Sequence, residues 1–269
     1  MSAGTTTSRT TAGVPAGRPD PAAASVRPSL ARLTAVELRK LTDTRSGYWL
    51  LIVIALAAAA IVAVQLFVTE DAEQTFVNFF VPSLLPVGVL LPVLGILLVT
   101  SEWSQRTALT TFVLVPVRHR VVVAKLAAGV VASLVSVLAS LAVATIGTLL
   151  ARATGGSGDW SLEARLVGYA ALFQVINVLM GIGFGMLLLN TPLAIVVYLV
   201  LPTVWSILGE MIRSLHDVAA WLDLSVTMGQ LTTPDVTAGQ WARIAVSAAV
   251  WVLAPLVAGT VRIVRQEVS

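Results

Sequence analysis

The chain is 269 residues long, 57% hydrophobic and 12% charged, with a mean hydropathy of +0.90 and a formal net charge of +3. A soluble domain of this length leaves too much of its surface wet to hide that apolar fraction, so the composition points to one membrane domain with short tails. There is no cysteine, which excludes disulfides, thiolate metal sites and cysteine nucleophiles.

In chain order, residues 1–28 are rich in Ala, Thr, Pro, Ser and Gly and hold no apolar run. They read as a disordered cytoplasmic tail without the hydrophobic stretch of a signal peptide. Residues 29–46 have helical periodicity: Arg32, Arg39 and Asp43 share one narrow sector, and Leu30, Leu33, Leu38 and Leu41 occupy the other side. That pattern predicts an amphipathic helix lying in the membrane interface ahead of the first span. Glu37 falls among the leucines, where a carboxylate is out of place.

Residues 47–269 form the membrane domain. Runs of about 20 apolar residues, enough to cross roughly 30 Å of hydrocarbon, predict spans at 48–68, 79–100, 121–150, 166–189, 193–208 and 241–261. The fifth is short. The expected fold class is therefore all-α, a polytopic membrane protein with about six transmembrane helices.

Span two carries Pro82, Pro86 and Pro92 beside Gly88 and Gly95. Each interior proline removes a backbone hydrogen bond, so a kinked or broken helix is expected, serving either as a pathway or hinge or simply for packing. Gly181, Gly183 and Gly185 in span four lack the spacing of a dinucleotide fingerprint and suit close helix packing. Gln65, Gln174 and Asn177 are the strongly polar residues at span depth, placed to join helices or to touch a substrate.

The connections differ in kind. Asn190-Thr191-Pro192 is a tight, uncharged turn. After span two, Ser101 reads as the cap of a new helix with Glu102 in its first turn, ending before Pro116 and followed by Arg118, His119, Arg120 and Lys125. Between spans five and six, residues 209–240 mix Trp221, Leu222 and Leu224 with polar residues, which predicts short helices in the outer interface.

Charge sets the orientation. With the N-terminus inside, and Arg9 and Arg18 set aside as distant tail residues, the inner segments hold Arg27, Arg32, Arg39, Lys40, Arg45, Arg106, Arg118, Arg120, Lys125, Arg262 and Arg265, and the outer ones hold Arg152, Arg165, Arg213 and Arg243. Eleven against four satisfies the positive-inside rule, and an even number of spans then puts both termini in the cytoplasm. Lys40 and Lys125 are the only lysines among many arginines. With abundant Ala and Val, this bias suggests a GC-rich bacterial genome and hence a bacterial plasma membrane.

Two stretches carry a family resemblance. One is Glu37-Leu38-Arg39-Lys40-Leu41 followed by Arg45 and the first span. The other is Ser101-Glu102-Trp103 through Arg106-Thr107, Thr110-Thr111-Phe112, Pro116, Arg118 and Lys125. With the six-span layout and the interfacial helix, these resemble the ABC-2 type permeases, membrane subunits of certain ATP-binding-cassette transporters. The resemblance implies that residues 29–46, with Glu37, Arg39 and Lys40, are the interfacial connecting helix. It implies that the segment from Glu102 to Leu114 is a cytoplasmic coupling helix docking on a separate ATPase, with Glu102, Trp103, Arg106, Thr107 and Arg118 as coupling residues. Pro82, Pro86, Pro92, Gln174 and Asn177 would belong to the pathway or its hinge. A second permease copy or a related chain, ATP and Mg on the partner ATPase, and export rather than import are also implied.

The absences agree with a non-enzymatic permease. There is no G-x-x-x-x-G-K-[ST] for a resident ATPase and no H-E-x-x-H for a zinc protease. No acid or base is expected deep within a span, which weighs against an ion-coupled carrier. The expected partners are the ATPase, the second permease and the bilayer, with no nucleic acid and no cofactor bound by this chain. A non-transporting membrane scaffold or regulatory subunit is the alternative, and a membrane-embedded enzyme a more distant one.

Overall fold

The structure, a computed structural model, describes residues 28–105, 118–233 and 235–265. Helix α1 (Leu30–Asp43) is capped by Ser29, whose hydroxyl accepts from the Arg32 amide. Thr44 ends it and at once caps α2 (Arg45–Val68) through the Gly47 amide. Gly47 makes this corner possible, because a Cβ there would collide with the Leu41 carbonyl. Four further long helices follow: α3 (Phe76–Ser104), α4 (Arg118–Thr154), α5 (Ala164–Leu188) and α6 (Thr191–Met211).

Two short helices, α7 (His216–Leu222) and α8 (Leu224–Gly229), come next. The last crossing is α9 (Ala238–Ala248), a π turn at Ala249–Leu253, and α10 (Ala254–Arg265). The π turn lies directly before Pro255, which cannot donate to the preceding helical turn. Among the described residues there is no strand.

Six helical segments are long and apolar enough to cross a membrane: α2, α3, α4, α5, α6 and the composite Ala238–Arg265. They coincide with all six predicted spans and extend most of them, the fourth ending one residue early because Leu189 is its left-handed cap. The fifth, expected to be short, is a full 21 residues because Asn190 caps it through the Leu193 amide and Pro192 sits in its first turn, where a missing N–H costs nothing. The residues between α6 and α9 form short helices, as their mixed composition predicts.

Helix α3 is the centre of the bundle. Two thirds of its most apolar window is buried, against 17% for α2 and α6, which therefore lie at the periphery. It packs along α5, α2 and α4. Close contact with α5 depends on glycine: a Cβ on Gly181 would strike the Pro92 carbonyl, and one on Gly185 would come within 3.2 Å of the Ile96 Cα. Gly183 serves the opposite face of α5, against the Leu256 backbone of α10. The packing role expected of these glycines is the one they have.

The three prolines do not break α3, which is one continuous helix from Phe76 to Ser104. Pro82 and Pro92 free the carbonyls of Asn78 and Gly88, four residues earlier in each case. Gln65 of α2 donates to the Asn78 carbonyl at 2.7 Å, and Tyr198 of α6 donates to the Gly88 carbonyl at 3.3 Å. Neighbouring helices thus replace the lost intrahelical bonds. A break was one of the two outcomes expected from the sequence, and these nonlocal donors are why it does not occur.

A second departure concerns Ser101 and Glu102. They do not begin a new helix but lie in the last turns of α3. Ser104 donates back to the Thr100 and Ser101 carbonyls and finishes the helix there. The rest of the expected coupling helix, including Arg106 and Thr107, lies outside the described residues.

Candidate functional site

The most unusual polar arrangement lies where α1, the end of α3 and the start of α4 meet. Glu37, Glu102 and Lys125 are 4%, 7% and 4% exposed, a degree of burial that carboxylates and ammonium groups reach only when paired. Lys125 Nζ lies 2.7 Å from Glu37 Oε2 and 3.1 Å from Glu102 Oε1, and donates to the Leu98 carbonyl at 2.8 Å. Its three protons therefore each have an acceptor. Lys40, at the rim, reaches Glu37 Oε1 at 2.7 Å and Glu102 Oε1 at 2.6 Å.

Among the described residues, two lysines thus alternate with two glutamates. Glu37 and Lys40 come from successive turns of α1, three residues apart and so on one face. Burial alone would lower the Lys40 pKa; the carboxylates of Glu37 and Glu102 beside it outweigh that and hold it above its ordinary 10.5. The network is a geometric tie between three helices, each carboxylate being shared between the two ammonium groups.

Around the network the contacts are apolar. Leu41, Leu98, Val99, Val122 and Ile263 form a buried cluster, with Leu38 and Trp103 packed on it. Arg118, at the first turn of α4, donates to the carbonyls of Ile263 and Val264 in the last turn of α10, where a cation also complements the helix dipole. Arg120 donates to the Pro28 carbonyl at 2.8 Å. The first and last described stretches and the start of α4 therefore meet at this same end of the bundle.

Of the residues singled out from sequence, the structure brings Glu37, Lys40 and Glu102 together and places Trp103 beside them. Arg39 is on the exposed side of α1. Pro82, Pro86, Pro92, Gln174 and Asn177 are away in α3 and α5. Gln174 is fully buried and donates to the Leu84 carbonyl, Ser133 donates to the Gln174 carbonyl, and Asn177 donates back to Phe173 on its own helix. Gln65 and Gln174 thus join helices, one of their two expected roles.

Three residues were not recognised for the part they have. Lys125 was visible as a charge at the edge of span three, but not as the partner of the misplaced Glu37. Tyr198 had no signal of its own. Gln74 is 3% exposed and donates to the Leu66 and Thr69 carbonyls at the end of α2, while its own carbonyl accepts from Gly158 and Ser157. A buried glutamine directly after a helix end is the kind of capping signal that could have been read.

No family model matches the chain, and no curated protein matches it.

Proposed function

We propose that this chain is the permease subunit of an ABC-2 type transporter in a bacterial plasma membrane. In this reading both termini and α1 lie on the cytoplasmic side, and the segment 106–117 between α3 and α4 docks on a separate ATPase that binds ATP and Mg. Two permease chains enclose one route, in a homodimer or with a related chain, and the cargo is exported. The chain itself is not an enzyme.

One observation carries the reading. The segment 106–117 is flanked by α3 and α4, and the buried Glu37–Lys125–Glu102–Lys40 network clamps both of these helices to α1. A push on that segment cannot move α3 or α4 alone without exposing or unpairing buried charge, which costs several kcal/mol. The three helices therefore move together, as a device that turns docking at the surface into rearrangement of spans requires.

The test is to purify the tagged chain from its native membrane in mild detergent and identify what accompanies it. A stoichiometric soluble protein with G-x-x-x-x-G-K-[ST], lost when residues 106–117 are replaced by a Gly/Ser linker, is the expected result. Arg106→Ala and Glu102→Gln should then lower transport per ATP hydrolysed. If no nucleotide-binding partner is recovered under several gentle conditions, the permease reading fails and a scaffold or regulatory subunit takes its place.

A further inference from the structure

On the side of the bundle away from α5 and α6, helices α2 and α4 diverge over α3 and leave a groove of about 360 Å³ closed at one end by α1. The gap exists because the facing positions are small: Ala55 and Ala58 on α2, Ala132 and Ala139 on α4. The rest of the wall is aliphatic apart from Thr42 of α1 and Ser136 and Ser140 of α4. The groove follows α4 from Ala132 to Val143, eleven helical rises, or about 16 Å at roughly 1.5 Å per residue. That is close to half of a hydrocarbon core of about 30 Å, the depth of one leaflet.

A groove about 16 Å long at roughly 1.5 Å per residue, with almost wholly apolar walls, matches an extended hydrocarbon chain. Cations at its closed end favour a lipid with an anionic headgroup over a helix of a second copy.

The closed end supplies polarity. Thr42 lines it, and its hydroxyl donates to the Arg39 carbonyl one turn earlier on the same face of α1. Arg39 and, three residues beyond Thr42, Arg45 are both exposed. Asp43 is the acid beside them, so two cations and one carboxylate lie within three residues of Thr42 at this end of the groove. Basic side chains at the membrane surface attract anionic headgroups.

We infer that this groove holds one acyl chain of an anionic phospholipid from the leaflet bordering α1, with its phosphate at Arg39 and Arg45. The inference rests on the six apolar helices crossing a bilayer, and not on the permease reading. Within a bilayer, burying a lipid tail brings no gain over leaving it among other tails. Shape and the two arginines therefore have to set retention, which makes each separately removable.

The full chain is purified in mild detergent, delipidated by exchange, and titrated with dioleoyl phosphatidylglycerol or dioleoyl phosphatidylcholine, with bound lipid counted by native mass spectrometry. One phosphatidylglycerol per chain is expected, with phosphatidylcholine at least tenfold weaker. Arg39→Gln with Arg45→Gln should abolish that preference without touching the groove. Ala139→Phe should block the bound lipid, while Val257→Phe, an exposed position on α10, should not.

Equal binding of the two lipids by the unaltered chain would overturn the inference, and so would binding unaffected by Ala139→Phe. A change of oligomeric state on Ala139→Phe, with lipid binding absent in the unaltered chain, would instead assign the groove to a second copy. None of these readouts involves an ATPase, so failure here leaves the proposed function standing, and the reverse.

Discussion

Replacing Lys125 by methionine tests the central network most directly. The change keeps the length and apolar stem of the side chain and removes only its ammonium group. Glu37 Oε2 and the Leu98 carbonyl lose their charged donor, and Glu102 Oε1 loses one ammonium neighbour while keeping Lys40. Removing one partner of a buried ion pair typically costs about 3–5 kcal/mol, because the remaining charge stays desolvated. Lys40 still reaches both carboxylates, though its side chain is 35% exposed and partly screened, so the lower end, about 3 kcal/mol, is expected.

At about 1.4 kcal/mol per factor of ten, this favours local opening roughly a hundredfold. Helix α1 is held to α3 and α4 by this network together with the apolar packing of Leu38 and Leu41. Hydrogen exchange on the purified chain should show the α1 amides losing about a hundredfold of protection, while those of α3 and α5 in the buried centre change little.

Adding Glu37→Gln to Lys125→Met leaves Glu102 paired with Lys40 and one fewer buried charge. More than half of the lost protection should return, as a double-mutant cycle would register. If α1 protection in Lys125→Met stays within threefold of the unaltered chain, the network does not fasten α1, and the mechanical argument for the proposed function loses its basis. Unchanged exchange in the double variant relative to the single one would show that the carboxylate is not the group left in distress.

Further outcomes follow from the same geometry. Tyr198→Phe leaves the buried Gly88 carbonyl without the donor that replaces its proline-lost bond, an effect of about 1–3 kcal/mol. The 3.3 Å separation favours the low end, so thermal unfolding in detergent should fall by about 2–4 °C. Gly181→Ala should destabilise by about 1–3 kcal/mol, since its Cβ meets the Pro92 carbonyl. Gly168→Ala on the same helix meets nothing within 4 Å and should stabilise slightly, as a helical Gly→Ala change does, by at most about 1 kcal/mol; paired melts read both. Because the Lys40 pKa is raised above 10.5, its stabilising contribution is complete below that pH and is lost only as pH climbs through the higher folded value. Protection of α1, corrected for intrinsic exchange, should therefore not fall between pH 7 and 10 on account of Lys40.

The spans were legible because each is a local property: twenty apolar residues in a row read the same way whatever surrounds them. A corner was legible for a related reason where a short run decides it, as Asn190-Thr191-Pro192 does between α5 and α6, although the cap that lengthens α6 was not read. The same local reading misplaced Ser101. A serine followed by a glutamate looks like a helix start, yet the glutamate here belongs to a helix already under way, and what holds its carboxylate is Lys40 and Lys125 on other helices.

The network itself was half legible, and the missing half shows where periodicity stops. Helical projection placed Glu37 on the leucine side of α1, which correctly marked it as a carboxylate needing a partner. It could not supply Lys125, 88 residues away and at the edge of a different span. The prolines of α3 follow the same rule from the opposite direction: sequence told which carbonyls would be freed, and only the packing of α2 and α6 brought Gln65 and Tyr198 to them. In both cases the sequence exposes an unmet electrostatic need and the fold meets it nonlocally. A buried charge or a freed carbonyl within an apolar helix is thus itself a contact prediction of known type, even when the partner's number is not.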